Sequence, residues 1–403
     1  MRASEVLQRC LGDALGPMHA LRARALLKAV EALTAGWRLT LIDLARRWPG
    51  AERVRAPLKA ADRLLGNRYL QAECLSLHSA MARWLLRGER PLIVIDWSDL
   101  KADKSWCLLR AAVPVGGRTL TLLDRVYPGD EQGSPGAERR FLQQLQTLIP
   151  AGLRPILITD AGFRTPWFRA VEAQGWSWVG RLRGTTLVKP AEVENRPDQW
   201  VSCRCLWQLV QARPRELDLM HINRSDPLAC RLVVHGKTPR GRKHYSRRHR
   251  TEVARNSHSR KAAAGVREPW LIIASPDLVD ASAHQLVGLY ARRMQIEGSF
   301  RDLKSHRYGA AFEDSLTRQG PRLSILLMLN TLACFACWLA GLASERNGQA
   351  SWLAPRKTKR KLYSTLRLGR EALLRRWPVE PIGQWLACLR TLPDHVHQQM
   401  VLG

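Results

Sequence analysis

The spacing of apolar and polar residues predicts a helical segment at the start of the chain and an α/β region after it. Apolar positions recur at helical intervals in Ala20 to Leu33, Leu41 to Trp48 and Leu75 to Leu86. From about residue 89 to residue 184, short β-rich apolar runs alternate with helix-like stretches, as in an α/β domain. Within the helical segment, Leu39 to Arg47 gives a weak signal for the opening of a helix-turn-helix, and the alternative is a core helix that has a basic outer face.

Two of the predicted strands end at an aspartate. Pro91 to Asp96 reads Pro-Leu-Ile-Val-Ile-Asp, and Pro155 to Asp160 reads Pro-Ile-Leu-Ile-Thr-Asp. Each run is typical of a buried strand that delivers its last carboxylate to an edge of the sheet. Taken singly, each aspartate also fits an ordinary turn residue at a strand end. Asp99 competes with Asp96, but a continued strand would direct it to the opposite face.

Further strands and a change of rhythm follow along the chain. Cys107 to Val113 and Thr119 to Val126 are predicted strands joined by Gly116-Gly117, and with the first strand they form an antiparallel meander. Trp176 to Leu182 and Glu268 to Ala274 have the same strand character. Between about residues 185 and 268 the α/β rhythm stops, which predicts an inserted β-rich segment.

The stretch from Tyr290 to Lys304 has the pattern of an amphipathic helix with a charged edge. At about 100° per residue, Tyr290, Arg293, Glu297 and Lys304 fall within an arc about 60° wide. An apolar stripe lies beside this arc, and polar residues lie opposite it. By period alone, a structural helix with a solvated charged edge is the favoured interpretation. The spacing Tyr-x2-Arg-x3-Glu-x6-Lys is the more specific signal.

This spacing resembles the YREK signature of DDE transposases from bacterial insertion sequences, in the insertion-sequence-four family, which includes the transposase of the tetracycline-resistance composite transposon. The resemblance implies an RNase H-like (retroviral integrase-like) α/β catalytic domain with Asp96, Asp160 and Glu297 as its catalytic acids. It also implies phosphate contacts by Tyr290, Arg293 and Lys304. Trp270 lies near the place where relatives that cut through a hairpin carry a base-stacking tryptophan; the alternative is a core residue opening a strand. Where relatives often have a second glutamate, this chain has Gly298.

Three carboxylates at one edge of a sheet require a counter-charge, and two divalent metal ions supply it. Oxygen ligands favour Mg²⁺, with Mn²⁺ possible, over zinc. Cys203-x-Cys205 and Cys334-x-x-Cys337 lack a second pair at zinc-site spacing, which favours packing cysteines. Metal is therefore expected at Asp96, Asp160 and Glu297.

The charge of the chain points to a polyanionic partner. The 403 residues carry 64 Lys and Arg against 35 Asp and Glu, a net charge of +29. Double-stranded DNA is the leading candidate, while ribosomal RNA or an anionic membrane surface would also fit. Lys237 to Lys261 holds ten Lys and Arg, and Arg356 to Arg370 holds seven; each is a predicted DNA-facing strip or a solvated segment.

Residues 323 to 343 contain no charged side chain and are long enough to span a membrane. Ser324, Asn330 and Thr331 interrupt this segment and basic stretches flank it, so we interpret it as a buried helix and expect no membrane contact. Nine scattered cysteines and the absence of a secretory pattern predict a reduced, cytoplasmic location, at the bacterial nucleoid.

The expected division is a helical DNA-binding region (1–88), an RNase H-like domain (89–184 and 268–345), a basic β-rich insertion (185–267) and a helical C-terminal region (346–403). The resemblance implies a homodimer that joins element ends and target DNA in a synaptic complex. The predicted function is binding of terminal inverted repeats with metal-dependent cleavage and strand transfer, through a hairpin intermediate. Two alternatives remain, a non-catalytic DNA-binding regulator and an RNase H-like nuclease without strand transfer.

Overall fold

Contacts within the chain divide the protein into two units. The first contains Met1–Ile156 and Arg292–Gly403, and the second contains Leu157–Ala291. The computed structural model describes residues 2–191, 199–236, 268–353, 362–377, 387 and 390–402. The basic stretch Lys237 to Lys261 lies outside these residues, as do residues 356–361 of the second basic stretch.

The N-terminal part of the first unit is helical, as the apolar spacing predicts. Side chains cap two of the helices: Thr40 Oγ1 accepts a hydrogen bond from the Asp43 backbone N–H (3.1 Å), and Asn67 Oδ1 accepts one from Leu70 N–H (2.9 Å). The helices are α1 (Ala3–Cys10), α2 (Gly12–Leu15), α3 (Ala20–Gly36), α4 (Leu41–Arg46), α5 (Arg55–Leu65) and α6 (Arg68–Leu85).

An antiparallel meander follows, with strands β1 (Leu92–Asp99), β2 (Trp106–Pro114) and β3 (Thr119–Pro128). The strand order is β3-β2-β1, and Gly116 and Gly117, with φ of +89° and +87°, form the turn between β2 and β3. The prediction that the first strand ends at Asp96 was wrong. Strand β1 continues to Asp99, which pairs with Cys107 of β2. Helix α7 (Pro135–Leu148) comes next.

The second unit contains a sheet with the strand order β4-β5-β10-β9-β8-β6-β7. Its centre is apolar, and β10 pairs antiparallel with both β5 and β9, so that Ile273 lies opposite Gly180 on one side and Leu232 on the other. The described elements are β4 (Ile156–Thr159), α8 (Thr165–Glu172), β5 (Ser177–Leu182), β6 (Leu187–Pro190), β7 (Val201–Ser202), β8 (Arg215–Ile222), β9 (Leu228–His235), β10 (Trp270–Ala274) and α9 (Ala283–Ala291).

The predicted single helix from Tyr290 to Lys304 is divided. Helix α9 ends at Ala291, and helix α10 (Met294–Lys304) begins three residues later. At the break, Gln295 N–H donates to the carbonyl of Arg292 (3.0 Å) and Ile296 N–H donates to that of Arg293 (3.1 Å). These bonds span three residues in place of four, which tightens the chain into a turn. Tyr290 therefore belongs to α9, and Arg293 lies in the turn.

The first unit is completed by a long buried helix, α11 (Gly320–Arg346), and by α12 (Thr365–Arg375) and α13 (Asp394–Met400). Helix α11 is long and apolar enough to cross a membrane, but 94% of its most apolar window is buried inside the protein. This burial agrees with its interpretation as a core helix.

Two glycines allow α11 and α12 to pack backbone against backbone. A Cβ atom at Gly369 would lie 1.7 Å from the carbonyl oxygen of Cys337, and one at Gly341 would lie 1.9 Å from that of Thr365. Neither position leaves room for a side chain, because both neighbours are main-chain atoms.

We predict that Gly369→Ala lowers the free energy of unfolding by about 3 kcal/mol, the upper part of the range for overpacking, because the new methyl group must push the two helices apart. Gly288→Ala is the matched control: it also lies within a helix, and a Cβ there meets nothing within 4 Å. The control should gain up to about 1 kcal/mol. Urea unfolding measures both, and equal stability of Gly369→Ala and the unmodified protein would disprove the close approach.

Candidate active site

One arginine in the first unit is bonded to two carboxylates. Arg293 Nη1 donates to Asp96 Oδ2 (3.3 Å), and Arg293 Nη2 donates to Glu297 Oε1 (2.6 Å). The side chains of Arg293 and Asp96 are 13% and 12% exposed, whereas that of Glu297 is 44% exposed. The planar guanidinium fork suits this arrangement, since each of its amino groups can serve a different carboxylate. Two of the three predicted catalytic acids are thereby brought to one cation.

Asp96 belongs to a row of charges that crosses the meander. It pairs across the strands with Arg110, and Arg110 pairs with Asp124 on the next strand. Residues directly opposite each other share a face of a sheet. The guanidinium of Arg110 donates two hydrogen bonds of 2.7 Å to Asp124, and both side chains are almost fully buried. Sequence reasoning missed this pair; its signal was one charged residue in the middle of an apolar strand.

Lys304, at the end of α10, is held against strand β1. Its Nζ donates to Ser98 Oγ at 2.8 Å. Burial lowers the pKa of the Lys304 ammonium, and the acidic side chains of Glu313 and Asp99 partly oppose this effect. The cation is thus half-desolvated, a condition that strengthens its attraction for an anion such as a phosphate.

The opposite side of α10 binds the turn between β2 and β3. Gln295 Oε1 accepts hydrogen bonds from the N–H groups of Gly116 and Gly117, both 3.0 Å, and Ser299 Oγ accepts one from Thr119 N–H at 2.9 Å. A Cβ at Gly298 would lie 3.3 Å from Arg118 Nη1. Gly298, which stands where relatives often have a second glutamate, is therefore closely packed. These contacts fix the rotation of α10 and leave Glu297 exposed.

Asp160 lies in the second unit, directly after β4, and is half-buried. Its Oδ1 accepts a hydrogen bond from the Gly162 backbone N–H at 2.8 Å. This is the local turn that an aspartate commonly forms at the end of a strand. The bond orients one oxygen of the carboxylate toward the backbone.

Trp270 and Tyr290 are in contact in the second unit. Their ring centres are 5.1 Å apart and the rings are nearly perpendicular, and the ring centre of His235 lies 6.1 Å from that of Trp270. Tyr290 is only 4% exposed and is a hydrogen-bond partner of Arg181, whose pKa is lowered by burial. Trp270 is half-buried. An arginine, a tyrosine and a tryptophan are therefore held together at the start of β10.

A groove of about 970 Å³ in the second unit is lined in part by Ala161, the residue that follows Asp160. Several hydroxyl-bearing side chains line it, together with four arginines: Arg164, Arg181, Arg183 and Arg224. Such a lining suits a phosphate backbone. The sequence carried a signal for two of these residues, since Arg181 and Arg183 stand in the short motif Gly180-Arg181-Leu182-Arg183-Gly184.

The predicted site residues are thus distributed over both units. The first unit holds Asp96, Arg293, Glu297 and Lys304, and the second holds Asp160, Trp270 and Tyr290. In the part of the chain that the structure describes, no group of three or more His, Cys, Asp or Glu side chains is arranged to hold a metal ion. The shared position at Asp96 and Glu297 combines two oxygen donors with a cation between them, and that chemistry fits a divalent metal ion.

The sequence matches the family described as the transposase DDE domain over residues 87–335, more than half of the chain. The chain belongs to this family. No curated protein is a significant match. A transposase DDE domain implies action on DNA and normally uses divalent metal ions. Its mixed α/β architecture also agrees with the helices and strands described above.

We predict that Arg293 is energetically coupled to the buried Asp96 and not to the exposed Glu297. Arg293→Gln should lower the free energy of unfolding by about 3 kcal/mol, because it leaves the Asp96 carboxylate buried without this partner. The double variant Asp96→Asn/Arg293→Gln should recover at least about 1 kcal/mol of that loss. Glu297→Gln is the control and should cost less than about 1 kcal/mol, since that pair faces solvent. Denaturant unfolding of the unmodified protein, of Asp96→Asn, of Arg293→Gln and of the double variant gives the coupling energy. Additive effects of the two single substitutions would contradict the coupling.

Proposed function

We propose that this protein is a DNA transposase of the insertion-sequence-four family that binds the terminal inverted repeats of its element and catalyses metal-dependent strand cleavage and strand transfer. The observation that carries the proposal is the cluster of Asp96, Arg293 and Glu297, because it joins two acids of the expected triad through an arginine of the YREK signature. Such a protein acts in the bacterial cytoplasm, at the nucleoid.

Asp96, Glu297 and Asp160 would hold two divalent metal ions, Mg²⁺ or Mn²⁺, as carboxylate ligands. When bound, these ions activate the attacking hydroxyl and stabilise the leaving oxygen in an in-line displacement at phosphorus. The oxygen donors of Asp96 and Glu297 support this assignment, since they already converge on a cation. The hydrogen bond from Gly162 to Asp160 supports a fixed carboxylate there.

Arg293 would exchange its partners when DNA and metal bind. In the free protein it compensates two carboxylates that otherwise repel each other. A DNA phosphate is a matching bidentate partner for the guanidinium, and the carboxylates would then be free to take the metal ions. Because a phosphate that takes over the guanidinium releases Asp96 and Glu297, metal affinity should rise when DNA is present.

Lys304 and the second unit supply further phosphate contacts in this proposal. The half-desolvated ammonium of Lys304 would act as a point charge beside β1. Tyr290 would contact a phosphate, and it would also position Trp270 and Arg181, which it contacts. The arginine-lined groove beside Asp160 would receive the DNA strand that bends during hairpin formation.

The net charge of +29 supports a large DNA footprint that includes both element ends and target DNA. A homodimer would bring the two ends into one synaptic complex, and the basic stretch Lys237 to Lys261 would contact the backbone.

Substitution of the three acids tests the assignment. Asp96→Asn, Asp160→Asn and Glu297→Gln should each reduce Mg²⁺-dependent cleavage of an element-end duplex by at least about a thousand-fold while DNA binding persists, because they remove metal ligands. Asp99→Asn is the matched control and should cut normally. Cleavage products, DNA binding and melting temperature are measured together. A stable variant among the three that cuts at the normal rate shows that its residue is misassigned.

Strand transfer requires a separate assay. Pre-cleaved element ends are incubated with the protein, Mg²⁺ and a supercoiled target plasmid, and joined products are expected. Cutting of intact ends without any joining would favour a nuclease, and binding without either reaction would favour a regulatory DNA-binding protein.

We predict that Trp270 holds a flipped base in the hairpin. Trp270→Ala should remain folded and nick the first strand but form few hairpins, since base stacking contributes about 1–3 kcal/mol. Trp270→Phe should keep most of the hairpin yield. Trp178→Ala is the core control; its ring is fully buried against Phe168, so it should lower the melting temperature and all steps together. Normal hairpin yield from a stable Trp270→Ala protein would exclude the stacking role.

A further inference from the structure

A basic pocket of about 320 Å³ lies in the first unit, apart from the carboxylate cluster described above. Three segments form it: the end of α3, the chain that follows α10, and helix α12. Its lining contains no acidic side chain and consists of Gly36, Trp37, Arg38, His306, Arg307, Tyr308, Gly309, Arg367 and Arg370.

Two of the four arginines in this pocket form no close ion pair among the described residues. Arg38 is paired with Asp314 (2.9 Å) and Arg367 with Glu371 (2.8 Å). Arg307 and Arg370 form no ion pair within 4 Å with any residue in the described ranges; Glu371 attracts Arg370 at longer range, and the Nε of Arg370 has no hydrogen-bond partner there. Their charges are therefore available to an external anion.

Each of these two arginines lies over an aromatic ring. The guanidinium of Arg307 is 5.1 Å from the ring centre of Tyr308, which is 73% exposed. That of Arg370 is 4.9 Å from the ring centre of Trp37. A large exposed aromatic beside cations that form no close ion pair is the combination by which proteins hold nucleic-acid strands.

The pocket is held in place by main-chain contacts. Leu39 N–H donates to the carbonyl of Ala310 (2.9 Å), and Ala310 N–H donates to that of Asp302 (2.7 Å). A Cβ at Gly309 would lie 2.0 Å from the Asp302 carbonyl oxygen, so the segment carrying Arg307 and Tyr308 packs closely on the end of α10. Arg370 follows Gly369, where α12 is packed against α11. The site is thus formed before any ligand arrives.

We propose that this pocket binds the backbone of DNA next to the reacting phosphates, with Arg307 and Arg370 on phosphates and Tyr308 against a sugar or base. Arg307 and Tyr308 follow Lys304 by three and four residues, so a strand that leaves Lys304 along this surface meets them next. The inference rests on the proposed transposase function and adds a DNA contact outside the YREK residues. It also gives a role to the part of the second basic stretch that lies on α12.

Fluorescence anisotropy with a labelled random-sequence duplex at several salt concentrations tests this site. Arg307→Gln should weaken binding several-fold and reduce the salt slope by about 0.9, the loss of one phosphate contact. Tyr308→Ala should weaken binding with little change of slope, because it removes no charge. Arg139→Gln is the matched control: Arg139 is an exposed arginine of α7 without an ion pair among the described residues, and its slope should stay unchanged.

The outcomes separate this site from the function it rests on. If the unmodified protein does not bind the duplex, the transposase proposal itself fails. If it binds, and Arg307→Gln and Arg370→Gln match it in affinity and slope at equal melting temperature, the pocket is not a DNA contact. Titration with ATP tests whether the pocket binds the phosphates of a free nucleotide and not those of DNA. Saturable ATP binding that Arg307→Gln abolishes, with DNA binding unchanged, would identify a free-nucleotide site and overturn the proposal.

Discussion

Like charges that are gathered at one place in a protein must be compensated, and this constraint organises the first unit. Five side chains alternate in sign from the core to the surface: Asp124, Arg110, Asp96, Arg293 and Glu297. Their exposed fractions run from 4% and 2% for the first pair to 12%, 13% and 44% for the others. The inner pair is bonded within the sheet, whereas the outer three include two carboxylates that we propose as metal ligands. Arg293 limits the repulsion between Asp96 and Glu297, so these two carboxylates can lie close together without a metal ion.

The consequence is that helix α10 has two separate tasks. Its outward side carries Glu297, and its other side holds the turn between β2 and β3 through Gln295 and Ser299. Arg293 precedes the helix and bonds to β1. A helix attached to both ends of one meander cannot rotate freely, which keeps Glu297 within reach of the arginine that it shares with Asp96. The position of the Glu297 carboxylate is therefore set by polar contacts on the opposite side of α10.

Much of this fold could be predicted from the sequence, because the apolar period identifies strands such as β1 and a buried helix such as α11. The period does not show where a tertiary contact interrupts an element. The break at Arg292 and Arg293 is invisible to it, since both residues have ordinary helical propensity, and the continuation of β1 to Asp99 depends on pairing with β2. The partners of Arg110 and Arg181 depend on strand register. Spacing and resemblance single out Asp96 and Glu297 as candidate acids, but the arginine that joins them is visible only in the folded structure.

The glycine contacts between α11 and α12 have an evolutionary consequence. Every replacement of Gly341 or Gly369 adds a Cβ atom, and that atom would overlap a main-chain oxygen of the facing helix. A smaller side chain on the facing helix cannot make room for a substitution at either glycine, because the facing atom belongs to the main chain. The two sites should therefore remain glycine in descendants of this protein for as long as α12 is retained, while the exposed side chains of the same helix are free to vary.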